Sequence, residues 1–430
     1  MNRLGTYILL LAFSVNAYAE TTVLECDSLI DVAAGKSLRQ QAILIKGNRI
    51  TAVGSRRDID KALEGATPDN LFVLGTCLPG LMDMHVHLRH ENSPNHYIKR
   101  FIQSEADYTL KAAHFAKITL DAGFTTVRDL GDGVFETVAL RNAISAGYAI
   151  GPRIFAAGKS ISTTGGHTDP TNGYKPSLMG NPGPSEGVIN SPAEAREAVR
   201  YRYKRGADVI KISATGGVLS LAKSGQNPQF TLEEMQALIE TATDYGMGVA
   251  AHAHGAEGMR RAIIAGIRSI EHGTYMTPEI MDLMIEHGTF FVPTMLAGKF
   301  VGEKALVNGY FPEVVRPKAA AIGPVLLDTF SKAYKAGVKI AFGTDSGVSA
   351  HGENAQEFEL MVNGGMSPMQ AIQSATIIAA DLLFESNNLG QIAPGMFADI
   401  VAVNGNPVDD ISLLQAIPFV MKDGVIYKNE

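Results

Sequence analysis

Apolar and polar positions follow one pattern near the two ends of this chain and another in its middle. From residue 21, "TTVLECDSLIDVAAGKSLRQQAILIKGNRITAVG" carries short apolar runs broken at Gly-Lys and Gly-Asn, which predicts strands joined by turns. The last forty residues behave alike: "FADIVAVNGNPVDD" and "PFVMKDGVIYKNE" supply apolar strands and an Asp-Gly hairpin signal. Two β-rich ends, 20–78 and 387–430, predict one small β-sandwich domain built from both termini. Between them, 79–386 alternates strands with helical spacing. The strand candidates are "LPGLMDMHVHL", "FTTVRDLG", "RIFAAGKSI", "DVIKISATGG", "GVAAHAHG", "SIEHGT", "FFVPTML" and "IAFGTDSG". Segments such as "SPAEAREAVRYRYKRGA" and "TLEEMQALIETATDYGM" open on a Ser or Thr cap, carry early Glu and close on Gly, as helices do. Eight strands alternating with helices predict an α/β fold, a (β/α)8 TIM barrel. The loop "HTDPTNGYKPSLMGNPGPSEG" is long and rich in Gly and Pro, and suits either a substrate loop or a flexible insertion.

Composition narrows the class. At 430 residues the chain exceeds one small core, and 46% hydrophobic with 19% charged residues is globular. A net charge of −7 gives no reason to expect nucleic acid as a partner. The first residues differ: Arg3, an apolar run over Ile8–Phe13 and Ala17-Tyr18-Ala19 read as a secretory signal cleaved after Ala19. The apolar run is far short of the roughly 20 residues a span requires. A periplasmic or secreted protein, without a membrane segment in its mature form, is expected. Cys26 and Cys77 could form one disulfide there or remain two buried thiols.

The polar residues that stand out lie at the C-terminal ends of the predicted barrel strands, where such folds put their chemistry. His85 and His87 are two apart and so share a strand face. Lys211 comes from the fourth strand, His252 from the fifth, His272 from the sixth and Asp345 from the eighth. Imidazole and carboxylate suit zinc or a similar divalent ion. Alternation turns Ile210 and Ile212 toward the helices, and Val209, Lys211 and Ser213 into the barrel. A buried ammonium beside cations is repelled and cannot ligate, so Lys211 must pair with a carboxylate, lose its proton or be modified.

These residues, with "LPGLMDMHVHL" opening the barrel and "GQIAPGMFADIVAVNGNP" closing it, resemble the amidohydrolase superfamily. "ATGGV", "AAHAHGAEGMRRAIIAGIRSIEHGT" and "TDSG" are similar to its imidazolonepropionase-like branch, which contains Xaa-Pro and Xaa-Arg/Lys dipeptidases. The "TGGHTDP" loop and the signal resemble secreted bacterial amidohydrolases that degrade ochratoxin A, an amide of phenylalanine. The resemblance implies Lys211 carboxylated by CO2 into a carbamate bridging two zinc ions. It implies His85, His87 and Asp345 on one metal, and His252 and His272 on the other. His254 shares the face of His252, so periodicity does not choose between them; the family pattern favours His252 and leaves His254 near the substrate. His167 is the candidate for the substrate carboxylate or carbonyl. His90, His96, His114, His287 and His351 read as surface or packing residues.

The implied reaction is hydrolysis of the amide or peptide bond of a small substrate ending in a free amino acid. A metal-activated water attacks, and Asp345 passes its proton to the leaving amine. Dipeptidase relatives often carry a tyrosine after the fourth strand; here "NPQFTLEEM" puts Phe230 there, which leans toward aromatic amides. The alternatives are a hydrolase of cyclic amides or lactones and a non-catalytic periplasmic scaffold. A homo-oligomer is implied by the family alone.

Overall fold

The computed structural model of the protein describes residues 20–94, 96–221 and 224–430, so the expected signal at 1–19 lies outside the described residues. In chain order the strands are β1 (Thr21–Asp31), β2 (Lys36–Lys46), β3 (Arg49–Gly54), β4 (Asn70–Pro79), β5 (Leu81–Val86), β6 (Phe124–Asp129) and β7 (Arg153–Ala156). Then follow β8 (Ile210–Ser213), β9 (Val249–Ala253), β10 (Ser269–His272), β11 (Phe290–Val292), β12 (Ile400–Val403), β13 (Phe419–Lys422) and β14 (Val425–Asn429). None of the described helices is long and apolar enough to cross a membrane.

The two chain ends do meet, but in a different form from the expected sandwich. Their strands make one continuous mixed sheet in the order β14-β13-β12-β4-β1-β2-β3. The reason is the antiparallel pairing of β12 with β4, from Ile400 opposite Pro79 to Val403 opposite Thr76, which welds the halves edge to edge. Alternate side chains of this sheet share one apolar cluster, including Leu24, Ile43, Ile50, Cys77, Ile400 and Phe419. On the other face Val23, Ala42 and Leu44 pack against Ile59 and Leu63 at the helix Arg56–Ala62. Cys26 and Cys77 are joined as a disulfide between neighbouring β1 and β4.

The middle strands form two parallel arcs, β5-β6-β7 and β8-β9-β10-β11. Both seams between the arcs are closed by hydrogen bonds. Asp208 donates to the Ala156 carbonyl (2.8 Å) and Ile161 pairs in parallel with Ile212. At the other seam, 340–346 bridges the arcs: Ile340 pairs with Phe291, Ser346 with Val86, and Met84 donates to the Phe342 carbonyl (2.9 Å). Helices pack outside this circuit. Ser191 caps Pro192–Lys204 and Thr231 caps Leu232–Asp244, the latter as a capping box with Glu234. Gly206 and Gly246 follow their ends at positive φ, so both expected stop signals are used.

Candidate active site

At the C-terminal ends of the circuit's strands lies a cavity of about 190 Å³ lined by His85, His87, His167, Lys211, His252, His254, His272 and Asp345. All eight candidate residues are therefore brought together. Period two explains most of it: Ile210 and Ile212 join the main core while Lys211 and Ser213 line the cavity. Likewise Ala251 and Ala253 pack outward, and His252 and His254 face in. His272 breaks the rule, since its alternation partner Ile270 lies in the core. A φ of +70° at His272 turns its side chain back into the cavity, and Asp345 has a φ of +58°. Left-handed conformations of this kind cost roughly 1–3 kcal/mol each and cluster at functional sites.

Three acceptor atoms converge here. His85 donates its Nδ1 proton to Glu271 Oε2 (2.9 Å), which leaves Nε2 as a lone pair. His87 donates from Nδ1 to the Gly131 carbonyl (3.0 Å), with the same consequence. These Nε2 atoms lie 3.6 and 3.3 Å from Asp345 Oδ1, a buried oxygen without a hydrogen-bond partner. Acceptors facing acceptors in a buried site need a cation between them, and this trio has the spacing to hold one metal ion. Burial acts to raise the Asp345 carboxyl, but His85 and His87 outweigh it and hold it low. Burial acts to lower the His87 imidazole and Asp345 raises it by more, so a proton competes with a metal for that nitrogen.

On the other side Lys211, 4% exposed, brings Nζ to 3.4 Å from His85 Nε2. Burial pushes its amine down to about 8, although Glu271 and Asp345 pull upward. His252, His254 and His272 form a second aromatic group, with ring centroids 4.6–5.2 Å apart. Each is oriented by a fixed partner: His252 Nε2 by the Gly216 carbonyl (3.1 Å), His254 Nδ1 by Thr274 Oγ1 and His272 Nδ1 by Thr294 Oγ1 (both 2.7 Å). His252 therefore offers Nδ1 to the cavity, and the other two offer Nε2. His167 stacks on His252 at 4.3 Å and hydrogen-bonds Ser220 Oγ through Nδ1. Val218, Leu219, Val301, Ile322 and Leu326 supply apolar lining to the same cavity.

Several supporting residues escaped the sequence reading. Glu271 ties His85 to Arg128 Nη2 (2.9 Å) with all three buried. Burial acts to raise its carboxyl, but Arg128 and His85 hold it at about 2. Asp83 accepts from the His85 and Thr344 amides and from the Thr344 and Asn354 side chains, pinning β5 to 340–346. His90, read as surface or packing, lines the cavity. His351 is buried against Phe115, whereas His114 and His287 are exposed. The side chain of His96 lies outside the description. Phe230 is buried in the main core and does not line the cavity, so it gives no support for a leaning toward aromatic amides. The loop from His167 borders an adjoining outer cavity, through Asp169, Tyr174 and Met179, which fits a substrate loop.

The amidohydrolase family model matches residues 76–428, and the chain belongs to that family. It is a hydrolase of amide bonds, and the family generally uses divalent metal ions. A solved Xaa-Pro dipeptidase with methionine bound in its active site is 50% identical, with a TM-score of 0.90 over 95% of this chain and 100% of the other. Ochratoxinase of Aspergillus niger is 32% identical over 433 residues, 95% of this chain and 87% of that protein. A prolidase solved with N-methylphosphonate-L-proline is 29% identical, with a TM-score of 0.86 and coverage of 95% and 100%.

Proposed function

We propose that the protein is a binuclear-metal amidohydrolase that cleaves the amide bond to a C-terminal amino acid in dipeptides, N-acyl amino acids or ochratoxin A. The convergence of His85 Nε2, His87 Nε2 and the unpartnered Asp345 Oδ1, in a cavity with apolar lining, carries this reading. His85, His87 and Asp345 would hold one divalent ion, zinc by donor type, and His252 and His272 the other. Lys211 would bridge them as N6-carboxylysine, which turns a buried cation into an oxygen-donor anion. The ions, when bound, supply Lewis-acid polarisation of the carbonyl and a more acidic water.

The chain's own residues do the rest. Asp345 accepts the proton of the attacking water and returns it to the leaving amine nitrogen. His167 and His254 orient the substrate carboxylate and carbonyl, and the apolar lining receives its side chain. Likeness to a Xaa-Pro dipeptidase, a prolidase and an ochratoxinase supports a substrate of this shape. In the same reading the closed circuit is the (β/α)8 barrel of 79–386, with 340–346 as its eighth strand. Residues 20–78 and 387–430 form the accessory domain. A cleaved signal at 1–19 sends the protein to the periplasm or outside, where the Cys26–Cys77 disulfide is at home.

Purification with metal counting, then assays on Xaa-Pro, Xaa-Arg and Xaa-Phe dipeptides, N-acyl amino acids, ochratoxin A and cyclic amides, tests the proposal. Lys211→Ala should lose bound metal and at least ~10³-fold in kcat/KM together. Retained activity in that variant would overturn the bridging role, and turnover of ring substrates alone would overturn the substrate class.

A further inference from the structure

We propose that Lys318 is a positioning residue, a latch that holds the segment 217–220 over the cavity and thereby fixes His167. It stands on the helix Arg316–Ala336, outside the cavity lining. Its ammonium donates to the carbonyls of Gly217 (3.3 Å) and Ser220 (2.8 Å), the two ends of that segment. The segment in turn grips His167. Ser220 Oγ hydrogen-bonds His167 Nδ1, which directs Nε2 elsewhere, and the ring lies flush on Gly217. A Cβ at position 217 would come within 2.1 Å of His167 Cε1, so glycine is what admits the ring. The ring of His167 also lies 4.3 Å from that of His252, whose Nε2 donates to Gly216, the residue before the latch.

Gly217, with Gly216 just before it, gives this segment many alternative backbones, so something must select the one that seats His167. A lysine bonding two carbonyls three residues apart does so with charge-assisted hydrogen bonds. Val218 and Leu219, held between those anchors, present their side chains to the cavity. Lys318 thus joins the segment to the helix that supplies Ile322 and Leu326 to the cavity lining. The inference rests on the reading that His167 touches substrate.

The test uses leucylproline and N-acetylphenylalanine as probes, with Lys318→Met, Lys318→Arg, Ser220→Ala, His167→Ala and the K318M/H167A double variant. Expected is a KM about tenfold higher in K318M with kcat within about threefold, and recovery to within about threefold of wild type in K318R. The double variant should be no worse than H167A alone within about twofold, because one residue acts through the other. Amide hydrogen exchange over 217–221 should speed at least ~10-fold in K318M without global unfolding.

If H167A leaves KM unchanged, the substrate role of His167 falls and the latch with it. If H167A raises KM while K318M does not, or if the two losses multiply, the latch alone is overturned. Should K318M fail to fold, Ser220→Ala decides: a matching rise in KM supports the latch and an unchanged KM overturns it. Where neither probe turns over, exchange over 217–221 that is as slow in K318M as in wild type overturns it.

Discussion

Glu271 is the residue on which the first acceptor trio depends, although it faces no cavity. Its Oε2 accepts from His85 Nδ1 and its Oε1 from Arg128 Nη2 and Ser269 Oγ, so one buried carboxylate both neutralises a guanidinium and fixes an imidazole tautomer. Glu271→Gln keeps the shape but puts an amide donor against His85 on one side or against Arg128 and Ser269 on the other. Metal affinity is expected to fall about 10–100-fold, as when a partner of a metal-binding histidine is lost. Titration with zinc or cobalt checks this, and unchanged affinity would refute the tautomer argument. His85, His87, His167, His252, His254, Lys211 and Asp345 were legible in the sequence because strand alternation and donor chemistry act within a few residues, whereas His90, which also lines the cavity, was not. Glu271 was not, because its meaning depends on Arg128, 143 positions away. His272 was identified by its chemistry against its parity, and only the left-handed turn at that residue reconciles the two.

Among the elements, the helix Met295–Ala305 shows how a cap can come from far away. Thr294 before it has a φ of +52° and spends its hydroxyl on His272, so it does not cap the helix. Glu357 does so instead, accepting from the amides of Met295 (2.9 Å) and Leu296 (2.6 Å) while fully buried. Burial pushes its carboxyl up from 4.5 to about 8, against the pull of those two amides. A folded pKa above the unfolded one contributes stability that is whole below 4.5 and lost as pH rises through 8. Wild type should therefore lose stability relative to Glu357→Gln between those limits, measured by urea unfolding; a pH-independent difference would refute a neutral buried carboxyl. Strands and local caps of the middle region were readable because Ser191, Thr231 and their closing glycines act over one helix. The single sheet was not, because the β12–β4 pairing joins segments more than 300 positions apart and leaves no local mark.

For the whole molecule the question is whether the accessory sheet stabilises the site or operates it. Only Gly80 separates β4 from β5, and a Cβ there would strike Thr125 Oγ1 at 2.1 Å, so sheet and circuit are tightly apposed. Arg153 at the start of β7 pairs with both Asp399 and Asp423 across that junction. The Cys26–Cys77 bridge lies deeper in the sheet's own cluster, among Leu24, Ile43 and Phe419, and no member of that cluster lines the cavity. Closing a loop of 51 residues contributes about 4 kcal/mol on the chain-entropy view, because it restricts the unfolded chain. That stabilisation acts on the unfolded ensemble and leaves the native donor geometry untouched. C26A/C77A should therefore unfold at lower urea, by roughly 2–4 kcal/mol, while kcat/KM at 25 °C stays within about twofold and metal content is unchanged. Heat and urea curves beside steady-state rates separate the two possibilities. A fall in kcat/KM or in bound metal while the protein is still folded would mean that the sheet sets the geometry of the strand ends, and that the accessory unit is part of the catalytic apparatus.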